Sequence, residues 1–279
     1  MDIVYNIMES ILKFDWIEYD FMKNALLAII IISPLFGILG TMIVNNKLAF
    51  FSDALGHSVF TGMALGIIFG LAKTDIAMVI FGVVFAILLN YIKSKKTVST
   101  DTIISVFSSL STAIGLVILS RGGNFTEYSS LLVGDILSIT VEEIIYLWII
   151  LIVTVVFWGL FFNKLHAISI SESLARSRRI NIKFIDTCFS VLIALVVMLS
   201  IKWVGMLIIN ALLILPAAAS RNIAHNMREY HLFSIMISLF TGIVGLILSF
   251  YVETATGPTI AILAAIVFFC TLIIKKKVK

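Results

Sequence analysis

Apolar residues run in long blocks along the chain, at roughly 24–44, 54–72, 76–92, 102–120, 143–162, 184–201, 203–220, 231–251 and 257–274, with a shorter block at 129–139. A helix needs about 20 such residues to cross the hydrocarbon core of a bilayer. The pattern therefore predicts eight or nine transmembrane helices, with 129–139 too short to cross alone. The period-two alternation of a membrane β-barrel is absent. The expected fold class is an all-α polytopic membrane protein, one transmembrane domain over residues 1–279 with a cytoplasmic loop at 163–183.

Composition excludes a soluble fold. Of 279 residues, 61% are hydrophobic and 13% charged, whereas an ordinary soluble domain carries about a quarter charged residues. Cys188 and Cys270 both sit in apolar blocks, so they read as packing residues. The opening residues include Asp15, Glu18 and Asp20, which is wrong for a signal peptide. The first span is expected to direct insertion.

Charge sets the orientation. If the N-terminus faces outward, 15 of the 20 Lys and Arg residues fall on the cytoplasmic side, leaving Lys13, Lys23, Lys73, Arg121 and Lys202 outside. The positive-inside bias then predicts N-terminus out and C-terminus in. The basic residues punctuate the spans instead of forming one stripe, so no nucleic-acid partner is expected. There is no GxxxxGK[ST] sequence, and no inter-span segment is long enough for an ATPase domain. Any energy source must be a gradient or a separate chain.

Candidate chemistry lies where polar residues interrupt the apolar blocks. Asp53 and His57 stand four apart in Ser52-Asp53-Ala54-Leu55-Gly56-His57-Ser58, which on a helix puts carboxylate and imidazole on one face, a turn apart. Ionisable groups within a span are functional candidates by default, and this pair suits divalent ions such as zinc, manganese or iron(II). The plainer reading, an ion pair that neutralises Asp53, stands beside it on the residues alone. Two ligands leave a first shell incomplete, so a metal site needs ligands from elsewhere or from a second copy. Gly62, Gly66 and Gly70 form overlapping GxxxG steps on the same span and predict a helix-packing face. Asn210 lies at mid-depth of a later span and Pro216 follows it. Pro216 is expected to kink or break the helix, as Pro34 is in the first span. Asn210 fits an ion pathway or an ordinary interhelical hydrogen bond.

Between the fifth and sixth spans, Ser171 reads as an N-cap, Glu172 as a first-turn acid, and Arg176, Arg178 and Arg179 as last-turn bases, which predicts a short surface helix. Such a helix suits lipid anchoring or protein docking. His166, His225 and His231 fall at cytoplasmic ends and are assigned no site. The ten methionines show no repeating spacing, so a copper relay is not expected.

Several stretches together resemble the permeases of bacterial zinc, manganese and iron ABC importers, most closely the zinc-uptake branch. They are Phe51 to Ser58 with Gly62, Asp101-Thr102, Val133 to Leu137, Ile170-Ser171 to Leu174-Ala175, Trp203-Val204-Gly205 through Leu213 to Ala218, and Glu253-Thr254 with Gly257-Pro258. The resemblance implies a dimeric pore in the cytoplasmic membrane, a separate ATPase and an extracytoplasmic binding protein that delivers the metal. The second permease subunit is expected to be an identical chain. It implies that Asp53 and His57 sit on the metal pathway and that Ser171, Glu172, Leu174, Ala175 and Arg176 belong to a coupling helix seated on the ATPase. The chain would be a transporter and not an enzyme, with no permanent cofactor. The alternative is a gradient-driven metal carrier using Asp53 and His57 as a proton relay. An intramembrane metalloprotease ranks last, since HExxH is absent. Three positions depart from the family pattern: Arg179 and Ser105 each replace a usual Gly, and Glu253 replaces a usual Asp.

Overall fold

A computed structural model describes residues 5, 8–10, 14–71, 74–93, 99–121 and 134–278. The described chain is almost wholly helical: α1 (Asp20–Asn45), α2 (Ala49–Ile68), α3 (Thr74–Lys93), α4 (Thr100–Arg121), α5 (Val141–Ile170), α6 (Glu172–Ser177), α7 (Ile182–Ile223), α8 (Met227–Val252) and α9 (Thr256–Val278). Short 3-10 turns occupy Asp15–Glu18 and Ile136–Ser138. Eight of these helices are long and apolar enough to cross a membrane, which makes this a multi-pass membrane protein. The block at 129–139 contributes only the Ile136–Ser138 turn among described residues. Lys73, Lys95, Lys96 and Glu127 lie outside the described residues.

One helix accounts for the difference between eight and nine. At 1.5 Å per residue α7 would be about 63 Å long, twice the hydrocarbon thickness. It breaks at Gly205, with φ 78° and ψ 156°, so Ile182–Val204 and Met206–Ile223 are separate helical segments. Each approaches the length of a span. The expected break at Pro216 is not there: Pro216 stays inside the second half of α7, and Pro34 stays inside an unbroken α1. Proline removes one donor but tolerates helical φ, whereas the backbone at Gly205 lies in a region that is essentially glycine's alone.

The chain divides into two compact units. The first comprises residues 1–41, 133–155 and 203–279, and the second 42–132 and 156–202. In the first unit α8 packs along α1. Ser234 Oγ donates to the Gly37 carbonyl at 2.8 Å, and Tyr230 Oη to the Thr41 carbonyl at 3.4 Å. Gly40 lies against the Leu213 carbonyl so closely that no side chain fits between α1 and the second half of α7. Lys23, counted on the outer side of the membrane, is only 4% exposed; it bonds Glu9 and Asp20 and lies 5.4 Å over the Tyr5 ring.

In the second unit α2 is the enclosed helix. Some 72% of its most apolar stretch is buried, against 28% for α3 and for α4. Gly62 and Gly66 face α3: a Cβ on Gly62 would stand 2.9 Å from Met78 Cα, and one on Gly66 2.9 Å from Ala77 Cβ. Gly70 does something else. It takes φ +62° with open space around it, and Gly70 N and Leu71 N close the helix end on the Ile67 and Gly66 carbonyls. It is a left-handed helix stop, not a packing step.

Candidate functional site: a carboxylate–imidazole pair on an enclosed helix

The least apolar of the eight long helices is α2, and it carries the pair. Its first turns hold Ser52, Asp53, His57 and Ser58. Ser52 and Ser58 are buried and donate back to the carbonyls of Ala49 and Leu55, each at 2.8 Å, so their hydroxyls are spent within the helix. Asp53 and His57 remain partly open, with side chains 43% and 35% exposed. The four-residue spacing brings Asp53 Oδ2 to 3.8 Å from His57 Nε2. That is longer than a hydrogen bond. Two ligands on a tetrahedral ion at ~2.1 Å stand about 3.4 Å apart, so a small side-chain adjustment lets both reach one ion. Among the described residues no group of three or more His, Cys, Asp or Glu side chains gathers to hold a metal. Two side chains alone fall short of a first coordination shell.

Helix α4 sets the height of the pair. Thr61 Oγ1 donates to the Ser111 carbonyl, Ser111 Oγ donates to Thr61 Oγ1 at 3.0 Å, and Thr112 Oγ1 reaches the His57 carbonyl at 3.4 Å. Gly115 permits this approach: a Cβ there would stand 2.5 Å from the Thr61 nitrogen. Further along, Phe60 and Ala64 pack on Leu119. His57 to Ala64 and Thr112 to Leu119 are the same seven-residue step, so the two helices run parallel and in register. Sequence reasoning placed this span at 102–120 but gave it no part in the site. Its signal was the run of five hydroxyls between Ser105 and Thr112.

The other expected residues belong to other elements. Asn210 and Pro216 belong to the second half of α7, in the first unit, and Asn210 is half-buried. Gly205, which sequence reasoning read only as part of a span, is the residue that breaks the helix. A Cβ on Gly134, itself at φ +73°, would come within 2.4 Å of the Gly205 nitrogen and the Val204 carbonyl. Sequence reasoning had divided this stretch into spans at 184–201 and 203–220, and the break at Gly205 falls just inside the second of them.

In the second unit, α6 forms the short surface helix at Glu172–Ser177. Ser171 occupies the N-cap position in extended conformation, but its hydroxyl contacts Ser173 Oγ at 2.7 Å and makes no cap bond. Glu172 and Arg176 pair at 3.5 Å, both well exposed. Ala175 is fully buried and Leu174 is 36% exposed, so α6 presents one apolar residue outward and anchors by another. Arg179 holds φ 55°, with Arg179 N and Ile180 N bonded to the Arg176 and Ala175 carbonyls. That left-handed stop explains why glycine suits the position. Glu253, at φ 54° after α8, occupies a similar stop, where the shorter Asp is better tolerated. A cavity of about 740 Å³ lies beside α6, walled by Asn90 and Lys93 from α3, Arg176, and Lys183 and Asp186 from α7.

Comparison with known proteins places this arrangement among transporters. Residues 18–275 match the family described as the ABC 3 transport family. The chain is 34% identical over 255 residues to the high-affinity zinc uptake system membrane protein ZnuB of Haemophilus influenzae, covering 91% of this chain and 97% of that protein. It is 28% identical over 265 residues to the manganese import system permease protein ScaB of Streptococcus gordonii, covering 93% of each. Its fold is similar to PsaBC from Streptococcus pneumoniae in complex with Fab, at a TM-score of 0.80 and 26% identity over 97% of this chain and 95% of that one.

Proposed function

The chain belongs to the ABC 3 transport family, and from that premise we propose that it is the permease subunit of an ATP-driven importer that moves a divalent transition metal into the cytoplasm, zinc first, manganese or iron next. The observation that carries the reading is the Asp53–His57 pair, 3.8 Å apart and partly open on an otherwise enclosed membrane helix. A carboxylate and an imidazole at membrane depth are costly without a function. The names of the relatives, a zinc uptake protein and a manganese import permease, support the same class of cargo.

The cycle runs through this chain's own groups. An extracytoplasmic binding protein delivers one ion to the outward side. Asp53 supplies a hard oxygen and His57 a borderline nitrogen, and the same pair from a second copy of the chain completes the shell. Because no single chain closes a full cage, the ion is held briefly and released. Proton and metal compete for the same imidazole nitrogen, so acidification weakens loading. A separate ATPase docks on the loop at 163–183, contacting Ser171, Glu172, Leu174, Ala175 and Arg176, and its closure drives the rearrangement that releases the ion inward. The chain sits in the bacterial cytoplasmic membrane as one permease domain with its N-terminus out. Asn210 and Pro216 line the pathway.

The test is ATP-dependent uptake of radioactive zinc and manganese into vesicles holding the complete transporter. Asp53→Ala and His57→Ala are expected to lower uptake at least a hundredfold, the loss of two of a few ligands. Unchanged uptake in both variants defeats the pair. Uptake that proceeds on a pH gradient without ATP transfers the chain to the gradient-driven carriers.

A further inference from the structure

The hydroxyl-bearing face of α4 is the largest polar feature that the paired ligands leave unexplained. At 100° per residue, Asp101, Ser105, Ser108 and Thr112 fall within an arc of roughly 60°, and all four are exposed or half-buried. Nearly opposite stand Val106, Leu110, Ile114 and Val117, each strongly exposed. Those four suit lipid; the polar arc does not. Between the two, Ile104, Ser111 and Gly115 are buried, and the latter two meet α2. The polar arc therefore flanks the seam with the helix that carries the pair.

Register decides what the arc meets. Thr61 against Ser111 and His57 against Thr112 are offsets of 50 and 55 residues along parallel helices. Asp53 then stands at the level of residues 103–108, which brackets Ser105 and Ser108, and Asp101 lies about one turn further toward the helix start. Oxygen ligands and water are what a divalent cation needs once it has left a carboxylate and an imidazole.

We propose that this face of α4 is the inward leg of the ion path: the cargo leaves Asp53 and His57, is passed along the hydroxyls of Ser108 and Ser105, and is drawn toward the cytoplasm by the Asp101 carboxylate. The proposal rests on Asp53 and His57 being the cargo pair and on an outward N-terminus. Thr112 stands at the top of the path: its hydroxyl donates to the Ser108 carbonyl at 2.8 Å and lies 3.4 Å from the His57 carbonyl.

Cysteine accessibility tests it in the complete transporter. In a Cys188→Ser, Cys270→Ala background, Ser105→Cys and Ser108→Cys are expected to react with a membrane-impermeant cationic thiol reagent applied from the cytoplasmic side, with cadmium slowing the reaction about tenfold. Val106→Cys and Leu110→Cys are expected to stay unlabelled because they face lipid. Equal labelling of both sets, or no cadmium protection at Ser105→Cys, overturns the path. Separately, Asp101→Asn is expected to cut zinc uptake about tenfold while zinc retained by the complex is unchanged, and Asp101→Glu restores uptake, as a displaced charge but not a lost fold requires. Wild-type uptake in Asp101→Asn overturns the proposal. Wild-type uptake in His57→Ala overturns the cargo pair instead and leaves the labelling pattern standing, so the two failures are told apart.

Discussion

Two glycine contacts, one in each unit, bring backbone against backbone with opposite results. At Gly115 the α4 backbone lies on Thr61 and Phe60 of α2, and both helices run on unbroken. At Gly205 the backbone lies on Gly134, and the longest helix of the described residues breaks. The difference is conformational. Gly115 stays helical and is needed only for its missing side chain, whereas Gly134 and Gly205 hold φ of +73° and +78° and are needed for backbone freedom as well. A close approach between regular helices positions chemistry; a close approach between irregular segments stops a helix where no polar loop does.

The strongest way to break this comparison is at the irregular contact. Gly205→Val combines a glycine-only conformation with a β-branched side chain, and is expected to cost about 3 kcal/mol. Loss of monodisperse protein in detergent gel filtration is the readout, with Gly134→Val behaving alike. Gly115→Ala comes next. Its Cβ would meet the Thr61 nitrogen at 2.5 Å and the Phe60 carbonyl carbon at 2.6 Å, backbone atoms that cannot swing away. A cost of about 1–3 kcal/mol follows, and because the seam sets the height of His57, zinc retention is expected to fall further than the thermal midpoint implies. Retention that merely tracks stability would show that α4 does not position the pair.

Smaller effects sharpen the contrast. Arg179→Gly relieves a left-handed residue at the end of α6 and is expected to stabilise by about 1 kcal/mol, seen as a higher thermal midpoint with uptake preserved. Glu172→Ala removes an ion pair whose side chains are 56% and 71% exposed. Such pairs contribute about 0–1 kcal/mol, so no shift in midpoint is expected, and any loss of ATP-driven uptake then reports on docking.

Sequence and structure agree most closely where a short-range rule governs. Asp53 and His57 share a face because they are four apart, and the α6 helix follows from its flanking residues. Gly62 and Gly66 were readable as packing residues, yet Gly70, in the same spacing, terminates the helix. Pro34 and Pro216 do not end their helices, because proline is tolerated when its helix is already held by neighbours, as the second half of α7 is held by α1 at Gly40. The charge pattern puts Lys23 on the outer side and says nothing of its burial. Only the return of Glu9 and Tyr5 onto α1 buries it.

By itself the sequence determined the class of protein, the apolar segments and the placing of Asp53 and His57 on one helix face, since these depend on run lengths against a fixed bilayer thickness and on the helical period. The tertiary structure decided which glycine breaks α7, which helix encloses the pair and which face of α4 stands beside it. Each of those is a contact between segments far apart in the chain, where the approach of two backbones, and not the preference of either alone, selects the outcome.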